Sequence, residues 1–348
     1  MQIGLFSNGN RNNALAKTSY DEDLHEIILA DRLGISEAWI SEHGTFLAFQ
    51  RPDQLPSADL FICKAAALTK QIRMGPGIRP LPFFHPLQIA TDCAVCDHLT
   101  GGRYIAGFGV GINAQSNKQR GTLVHDPRGE AVELILKAWE APAPFDWNGT
   151  VWQGEQWHII PKPMGEMEVG VACSRSDTTL ELTAEKGFLP LMSWTPTVPQ
   201  IRDMLSIYMS SAHKRGAAPA RSRARVGRVV YVCDSVAQAK RDLRDAELVH
   251  AHARMQHVLP PGGSNADLTF EKLIDRGFFI CGDPDTVYDG IKNLYDEVGG
   301  FGTLLLIYGK DWGTLEQRCR SMERFMAEVA PRLAALDPDK PSVASAAE

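Results

Sequence analysis

His43 is the side chain in this sequence best suited to move a proton, because an imidazole changes charge near physiological pH. It stands two residues beyond a short apolar run in AWISEHGTF. A histidine placed there can act as a general acid or base, or it can be packed and hydrogen-bonded without any chemistry; position alone leaves both readings open. A second segment, Cys173-Ser174-Arg175-Ser176-Asp177-Thr178-Thr179, runs from an apolar strand into a helical pattern. It sets hydroxyls, backbone N–H groups and a guanidinium where a phosphate would be stabilised, although plain N-capping by Ser176 or Asp177 accounts for the same residues. In GFGVGIN, Gly107 to Asn113, three glycines alternate. They permit close backbone approach to a flat ring, or simply a tight turn. Phe46, Phe49, Phe83 and Phe84 lie in loops rather than in helical runs, which suits an apolar pocket around an aromatic cofactor or substrate.

Several classes are disfavoured. The formal net charge of −6 advertises no basic face for nucleic acid or anionic lipid. The start MQIGLFSNGN lacks the basic-then-apolar pattern of a secretory signal, and no later run suggests a membrane span, so a cytoplasmic protein is expected. The seven cysteines are scattered and are read as reduced. Cys93 and Cys96 have CxxC spacing but sit within an apolar-periodic helix, where a core-facing pair is the favoured reading. His250, His252 and His257 lack metal-ligand spacing and a nearby carboxylate, so no metal site is expected. GxSxG, HExxH and P-loop motifs are missing, and the glycines of GFGVGIN do not spell a Rossmann fingerprint.

These residues need elements to hold them, and the chain supplies short apolar strands alternating with amphipathic helices. Strands are expected at IGLFS, Ala38–Ser41, Ile72–Ile78, Tyr104–Gly109, Val169–Ala172, Leu189–Met192, Val226–Val232 and Gly302–Ile307. Helices are expected at Asp21–Leu33, Ala58–Lys70, Pro86–Leu99, Pro127–Trp139, Asp177–Lys186, Val198–Arg215, Ser235–His252 and Asp283–Val298. The stretch FDWNGTVWQGEQWHIIPKP interrupts the rhythm after the fourth β-α unit, and Asn148-Gly149 inside it signals a hairpin. Eight strands with intervening helices predict a (β/α)8 TIM barrel over residues 1–335 carrying a short hairpin-like insertion. Residues 336–348, small, polar and proline-bearing, are expected to form a disordered tail. In such a barrel the site lies at the carboxyl ends of the strands, which is where His43, Gly109, Arg175, Ser193 and Trp194 fall.

Four blocks in order, GISEAWISEHGTF, IRMGPGIRPLPFFHPLQIATDCAVCDHLTGGRYIAGFGVG, VACSRSDTTLELTAEKGFLPLMSW and FFICGDPDTVYDGIKNLYDEVGGFGTLLL, resemble the bacterial-luciferase-like flavin monooxygenases. Within them the diketocamphane and limonene monooxygenase type is the most similar, and the resemblance spans nearly all of residues 1–335. It implies non-covalent FMN, reduced by a separate NAD(P)H-dependent flavin reductase, and a C4a-peroxyflavin that oxygenates a small apolar, cyclic ketone or terpenoid-like substrate. Baeyer-Villiger insertion, hydroxylation and epoxidation all fall within that chemistry. The resemblance makes His43 the catalytic histidine and places Gly77 and Ile78, often a non-prolyl cis pair in the family, beside the flavin ring. Arg128, Arg175, Ser176 and Thr179 match phosphate-contacting positions, while Ser193 and Trp194 match the segment flanking the ring. Where the luciferases have a cysteine followed by an arginine after strand four, this chain has Gly109 and Val110, and Arg175 replaces a glutamate. Family relatives pair, so a homodimer or a heterodimer with a paralogue is implied. Two rival readings keep the barrel: a deazaflavin-dependent dehydrogenase that transfers hydride without dioxygen, and a non-catalytic flavin-binding protein.

Overall fold

Every second residue of the short strands faces a common axis, and the helices between them cover the outside. The structure is a computed structural model that describes residues 1–7, 15–42, 55–109, 129–173, 176–214, 216, 220–243, 269–308 and 313–339. In chain order the first half comprises β1 (Gln2–Ser7), α1 (Ala16–Leu33), β2 (Glu37–Ile40), α2 (Ala58–Ala66), β3 (Arg73–Pro76), β4 (Arg79–Pro80), α3 (Pro86–Thr100), β5 (Ala106–Gly109) and α4 (Glu130–Glu140). A two-stranded hairpin follows, β6 (Phe145–Asn148) and β7 (Gln153–Trp157). The second half comprises β8 (Val169–Cys173), α5 (Asp177–Glu185), β9 (Leu189–Met192), α6 (Val198–Lys214), β10 (Arg225–Val232), α7 (Val236–Asp242), α8 (Phe270–Asp275), β11 (Phe279–Gly282), α9 (Pro284–Glu297), β12 (Thr303–Tyr308) and α10 (Leu315–Arg324).

The parallel order β3-β2-β1-β12-β10-β9-β8-β5-β4 runs once around, and a bridge between Met74 of β3 and Tyr104, just before β5, closes it into a (β/α)8 barrel. Strands β3 and β4 share the third barrel position: β3 pairs with β2, and β4 pairs with β5. The strand expected at Ile72–Ile78 ends at Pro76, pairing resumes in a second short strand at Arg79, and the cis Gly77–Ile78 peptide lies between them. Strand β11 pairs with the upper half of β10 and, like α8, was not anticipated. The helix expected at Ser235–His252 is seen only as Val236–Asp242, with residues 244–268 outside the described residues. Helix α4 begins at Glu130 rather than Pro127, which is not among the described residues.

Local chemistry ends the helices where they must turn. Gly34, at φ 82°, closes α1 with its N–H directed at the carbonyls of Ala30 and Asp31, a conformation that penalises any side chain. Asp283 accepts from the Thr286 N–H at 2.9 Å and Pro284 occupies the first turn of α9. The outer core is the layer between barrel and helices; Leu24, Ile27 and Ala30 of α1 are buried in it, each large aliphatic chain contributing about 1.5–3 kcal/mol. Arg318 of α10 reaches Glu26 and Glu22 of α1, both at 2.7 Å, and is fully buried with Glu26. Leu336 packs against the core and Asp339 accepts from the Ser222 N–H, so residues 336–339 of the expected tail are placed; residues 340–348 lie outside the described residues.

The hairpin signalled by Asn148-Gly149 is present and antiparallel, with Asn148 opposite Gln153 and the Gly149 N–H donating to the Trp152 carbonyl at 3.0 Å across the turn. The carboxylate of Glu130 organises that loop. Oε2 accepts the N–H groups of Thr150 and Val151 at 2.9 Å, and Oε1 accepts Trp152 N–H and the Trp147 indole N–H at 3.1 Å. Burial works to raise this carboxyl, but the four donors outweigh it and hold it below the usual carboxylate range.

Candidate active site

The barrel lumen is filled in layers, as strand alternation requires. At its amino end Glu37 of β2 pairs with Arg225 of β10 at 2.9 Å, and the Trp39 indole N–H donates to Glu37 at 2.8 Å. Above that pair Trp39 crosses the lumen, fully buried. It fits because its neighbours have no side chains: a Cβ on Gly170 would lie 2.4 Å from Cη2 of the indole, and one on Gly107 would lie 1.8 Å from the Pro76 carbonyl oxygen and 3.2 Å from Cζ3. Ile105, Leu189, Leu191 and Leu305 complete this apolar floor.

The next inward positions form the carboxyl-end mouth. Gly109 follows Gly107 by two residues and Ala172 follows Gly170 by two, so both face the axis above Trp39. Ala172 is exposed although its neighbours Val171 and Cys173 are buried, so the lumen is open in front of it. A Cβ on Gly109 would stand 2.7 Å from Cδ1 of Ile78 and 3.4 Å from the Ala172 Cβ. Ile78, Gly109 and Ala172 thus make a shallow apolar shelf. Phe6 borders it, since a Cβ on Gly77 would meet Phe6 Cε2 at 2.9 Å. Ser41, two residues beyond Trp39 on the same face, is 4% exposed, and its hydroxyl has no hydrogen-bond partner among the described residues. A buried hydroxyl left without a partner costs about 1–3 kcal/mol, which a bound polar group would offset. Ser193, two beyond Leu191, is half-buried with its hydroxyl 2.9 Å from that of Thr195, and the Trp194 backbone passes close to Gly227.

Of the residues singled out from sequence, Gly77, Ile78, Gly109 and Ser193 are brought together at this mouth. Ser176 caps α5 by accepting the Thr179 N–H at 3.3 Å, which is the simple capping alternative. Its exposed hydroxyl and the half-buried Thr179 begin that helix at the same end of the barrel. His43, Phe46, Phe49, Val110, Arg128 and Arg175 lie outside the described residues, as do His250, His252 and His257. Phe83 ends a single 3-10 turn after β4. Phe84 is placed away from the shelf: its ring covers the Arg79 guanidinium at 4.5 Å and joins the layer between barrel and helices. Arg79 itself bridges Asp59 of α2 and, at 2.7 Å, Asp92 of α3. Trp157 of the hairpin meets His85 edge-on at 5.7 Å, which brings the hairpin against the loop after β4. Phe6, Ser41 and Ala172 were not foreseen; the signal available for them was the two-residue period of β1, β2 and β8.

The comparisons with known proteins agree with this architecture. The chain is 30% identical to the 4-hydroxyprotoasukamycin monooxygenase of Streptomyces nodosus subsp. asukaensis, across 87% of this chain and 84% of that one. It is 26% identical to the limonene 1,2-monooxygenase of Rhodococcus erythropolis, across 91% and 82%. Among solved structures, the oxygenating constituent of 3,6-diketocamphane monooxygenase from Pseudomonas putida, a type II Baeyer-Villiger monooxygenase in complex with FMN, superposes with a TM-score of 0.81 at 26% identity, covering 95% of this chain and 98% of that one. No helix among the described residues is long and apolar enough to cross a membrane. Residues 1–300 match the luciferase-like monooxygenases, and the chain belongs to that family.

Proposed function

We propose that this protein is the oxygenase component of a two-component system that uses reduced FMN and dioxygen to oxygenate a small apolar substrate, a cyclic ketone or terpenoid-like molecule. The observation that carries the reading is the mouth itself: a flat apolar shelf of Ile78, Gly109 and Ala172 beside a buried Ser41 hydroxyl that has no partner among the described residues. Those residues fit the isoalloxazine end of FMN, a flat apolar ring with polar edge atoms. Ser176 and Thr179 would hold its phosphate together with Arg128 and Arg175, using the donors of the α5 N-terminus. The flavin supplies the activation of dioxygen, and a separate NAD(P)H-dependent reductase supplies the reduced flavin.

The chain's own contribution is to bind, orient and keep dry. Trp39 and the leucines beneath it close the lumen from below, so water reaches the shelf only from the mouth. Ser193 and Trp194 would border the ring on the β9 side, and Phe46, Phe49 and Phe83 are the aromatic side chains proposed to meet an apolar substrate. His43 holds the proton delivered to or taken from the substrate oxygen during transfer. The test is single turnover of the protein with reduced FMN, a cyclic ketone and isotopically labelled dioxygen. Labelled oxygen in the product supports the assignment; oxidation of substrate with deazaflavin and no dioxygen consumed supports a hydride-transfer enzyme instead. With His43→Ala, product formation should fall about 100-fold or more while FMN affinity stays within about 2-fold, the loss ordinarily seen for a proton-transfer group.

A further inference from the structure

Cys63 on α2 and Cys96 on α3 face each other across the seam between those helices, their sulfurs 3.7 Å apart. Cys96 is buried at 4% exposure and Cys63 is half-buried, so one thiol of the pair is open to a small reagent and the other is sheltered behind it. The remaining cysteine of that helix, Cys93, is turned to the Tyr104 hydroxyl instead. The hydrogen bond between the two sulfurs holds the Cys63 thiol below its ordinary value, the condition for a nucleophilic sulfur. From this geometry we propose that Cys63 and Cys96 form a redox modification site, an inter-helix disulfide closed by hydrogen peroxide.

The steps balance without a cofactor. Cys63 sulfur attacks one peroxide oxygen, the O–O bond breaks, and the departing hydroxide takes the thiol proton as the first water. Cys96 sulfur then attacks the resulting sulfenic sulfur, the S–O bond breaks, and hydroxide leaves with the second thiol proton as the second water. Two thiols lose two electrons and one peroxide gains them. A disulfide needs its sulfurs about 2.05 Å apart, so the two sulfurs must approach by roughly 1.6 Å, through side-chain rotation and movement of the helices that carry them.

That movement acts on a second contact along the same seam. Asp59 precedes Cys63 by one helical turn in α2, and Asp92 precedes Cys96 by one turn in α3. These two carboxylates are the pair that grips Arg79, the residue directly after Ile78 of the shelf. To the extent that the helices move, closing the thiol pair would re-set the clamp on Arg79 and shift Ile78. Hydrogen peroxide is the product when reduced flavin meets dioxygen without oxygenating a substrate, so the source of oxidant and the effect on the shelf rest on the function proposed above. Bridge formation rests on the thiols alone.

The test treats the full-length, flavin-free protein with excess hydrogen peroxide, blocks free thiols and maps peptides without reduction. A Cys63–Cys96 peptide lighter by two hydrogens, lost on adding dithiothreitol and missing in Cys63→Ser and Cys96→Ala, is the expected result. Sulfinic acid at Cys63 without a bridge, or unmodified thiols, overturns the proposal. FMN affinity is then titrated for the bridged and reduced forms. A change of about 5-fold or more, reversed by dithiothreitol, is expected for a coupled site; equal affinity of the two forms overturns the coupling. Lack of FMN binding by the reduced protein would refute the functional reading and leave the bridge intact as a finding.

Discussion

Replacing Ser41 by alanine should move two quantities in opposite directions. In the flavin-free protein the Ser41 hydroxyl is buried with no partner among the described residues, so its removal recovers a desolvation cost of about 1–3 kcal/mol. The void left by one oxygen, some 10–15 Å³, returns only about 0.3 kcal/mol at roughly 24 cal/mol per Å³. At about 2.1 cal/mol/K per residue over 348 residues, the unfolding entropy is near 0.7 kcal/mol/K, so the flavin-free Tm should rise by about 1–4 °C. If bound FMN gives the same hydroxyl a partner, as proposed, losing one hydrogen bond worth about 0.5–1.5 kcal/mol should weaken affinity roughly 2- to 13-fold. Calorimetry of the flavin-free protein and fluorescence titration of FMN measure the two effects. Ser41→Thr should keep the affinity, and Ser41→Val, nearly isosteric with that threonine, should lose it. A flavin-free Ser41→Ala protein that is less stable, with unchanged FMN affinity, would show that the hydroxyl serves the fold and not a ligand.

Gly109→Val should reduce FMN affinity by about 10-fold or more in the same titration, because its Cβ starts 2.7 Å from Ile78 and its methyl groups fill the shelf. Arg318→Met should destabilise by about 3–5 kcal/mol, leaving Glu26 buried without its cation; thermal unfolding should register a drop of roughly 4–7 °C, partly restored by adding Glu26→Met. Glu130 has its folded pKa held below its unfolded value of about 4.3, so its carboxylate stabilises the hairpin above that pH and the contribution vanishes as pH falls through the lower folded value. Tryptophan fluorescence, reporting Trp147 and Trp152, should therefore change on acidification in the parent protein, whereas Glu130→Gln should show the altered signal already at neutral pH.

The barrel was legible because short apolar runs alternate with longer stretches of helical period at the spacing of β-α units. Strand β11 was not, since FICG, though as long as β2 or β9, follows an irregular stretch with no clear helical pattern before it and so fits a strand, a helix end or a loop equally well. The interruption of strand three depends on which neighbour each half pairs with, a tertiary property that IRMGPGIRP does not encode locally. Phe84 shows how a loop aromatic misleads: a pocket was expected, but the Arg79 guanidinium offered its ring a cation to cover. Ala172 and Ser41 are small, common residues, and they acquire meaning only because alternation turns them inward above Trp39. Glu130 could not be linked to the hairpin from spacing, because its four donors lie 17 to 22 residues further along the chain.

The Trp39 indole has a consequence for how this scaffold could be retuned. It lies across the lumen between strands whose facing positions are Gly107 and Gly170, so the level at which the cavity bottoms out is set by one replaceable residue, and Gly107, whose Cβ would meet the Pro76 carbonyl oxygen at 1.8 Å, cannot grow to refill the space. Exchanging the indole for a phenyl or an aliphatic group would deepen the well without widening its rim. Laboratory evolution toward longer substrates would then find its first gains at position 39, remote from the loops where such searches usually begin.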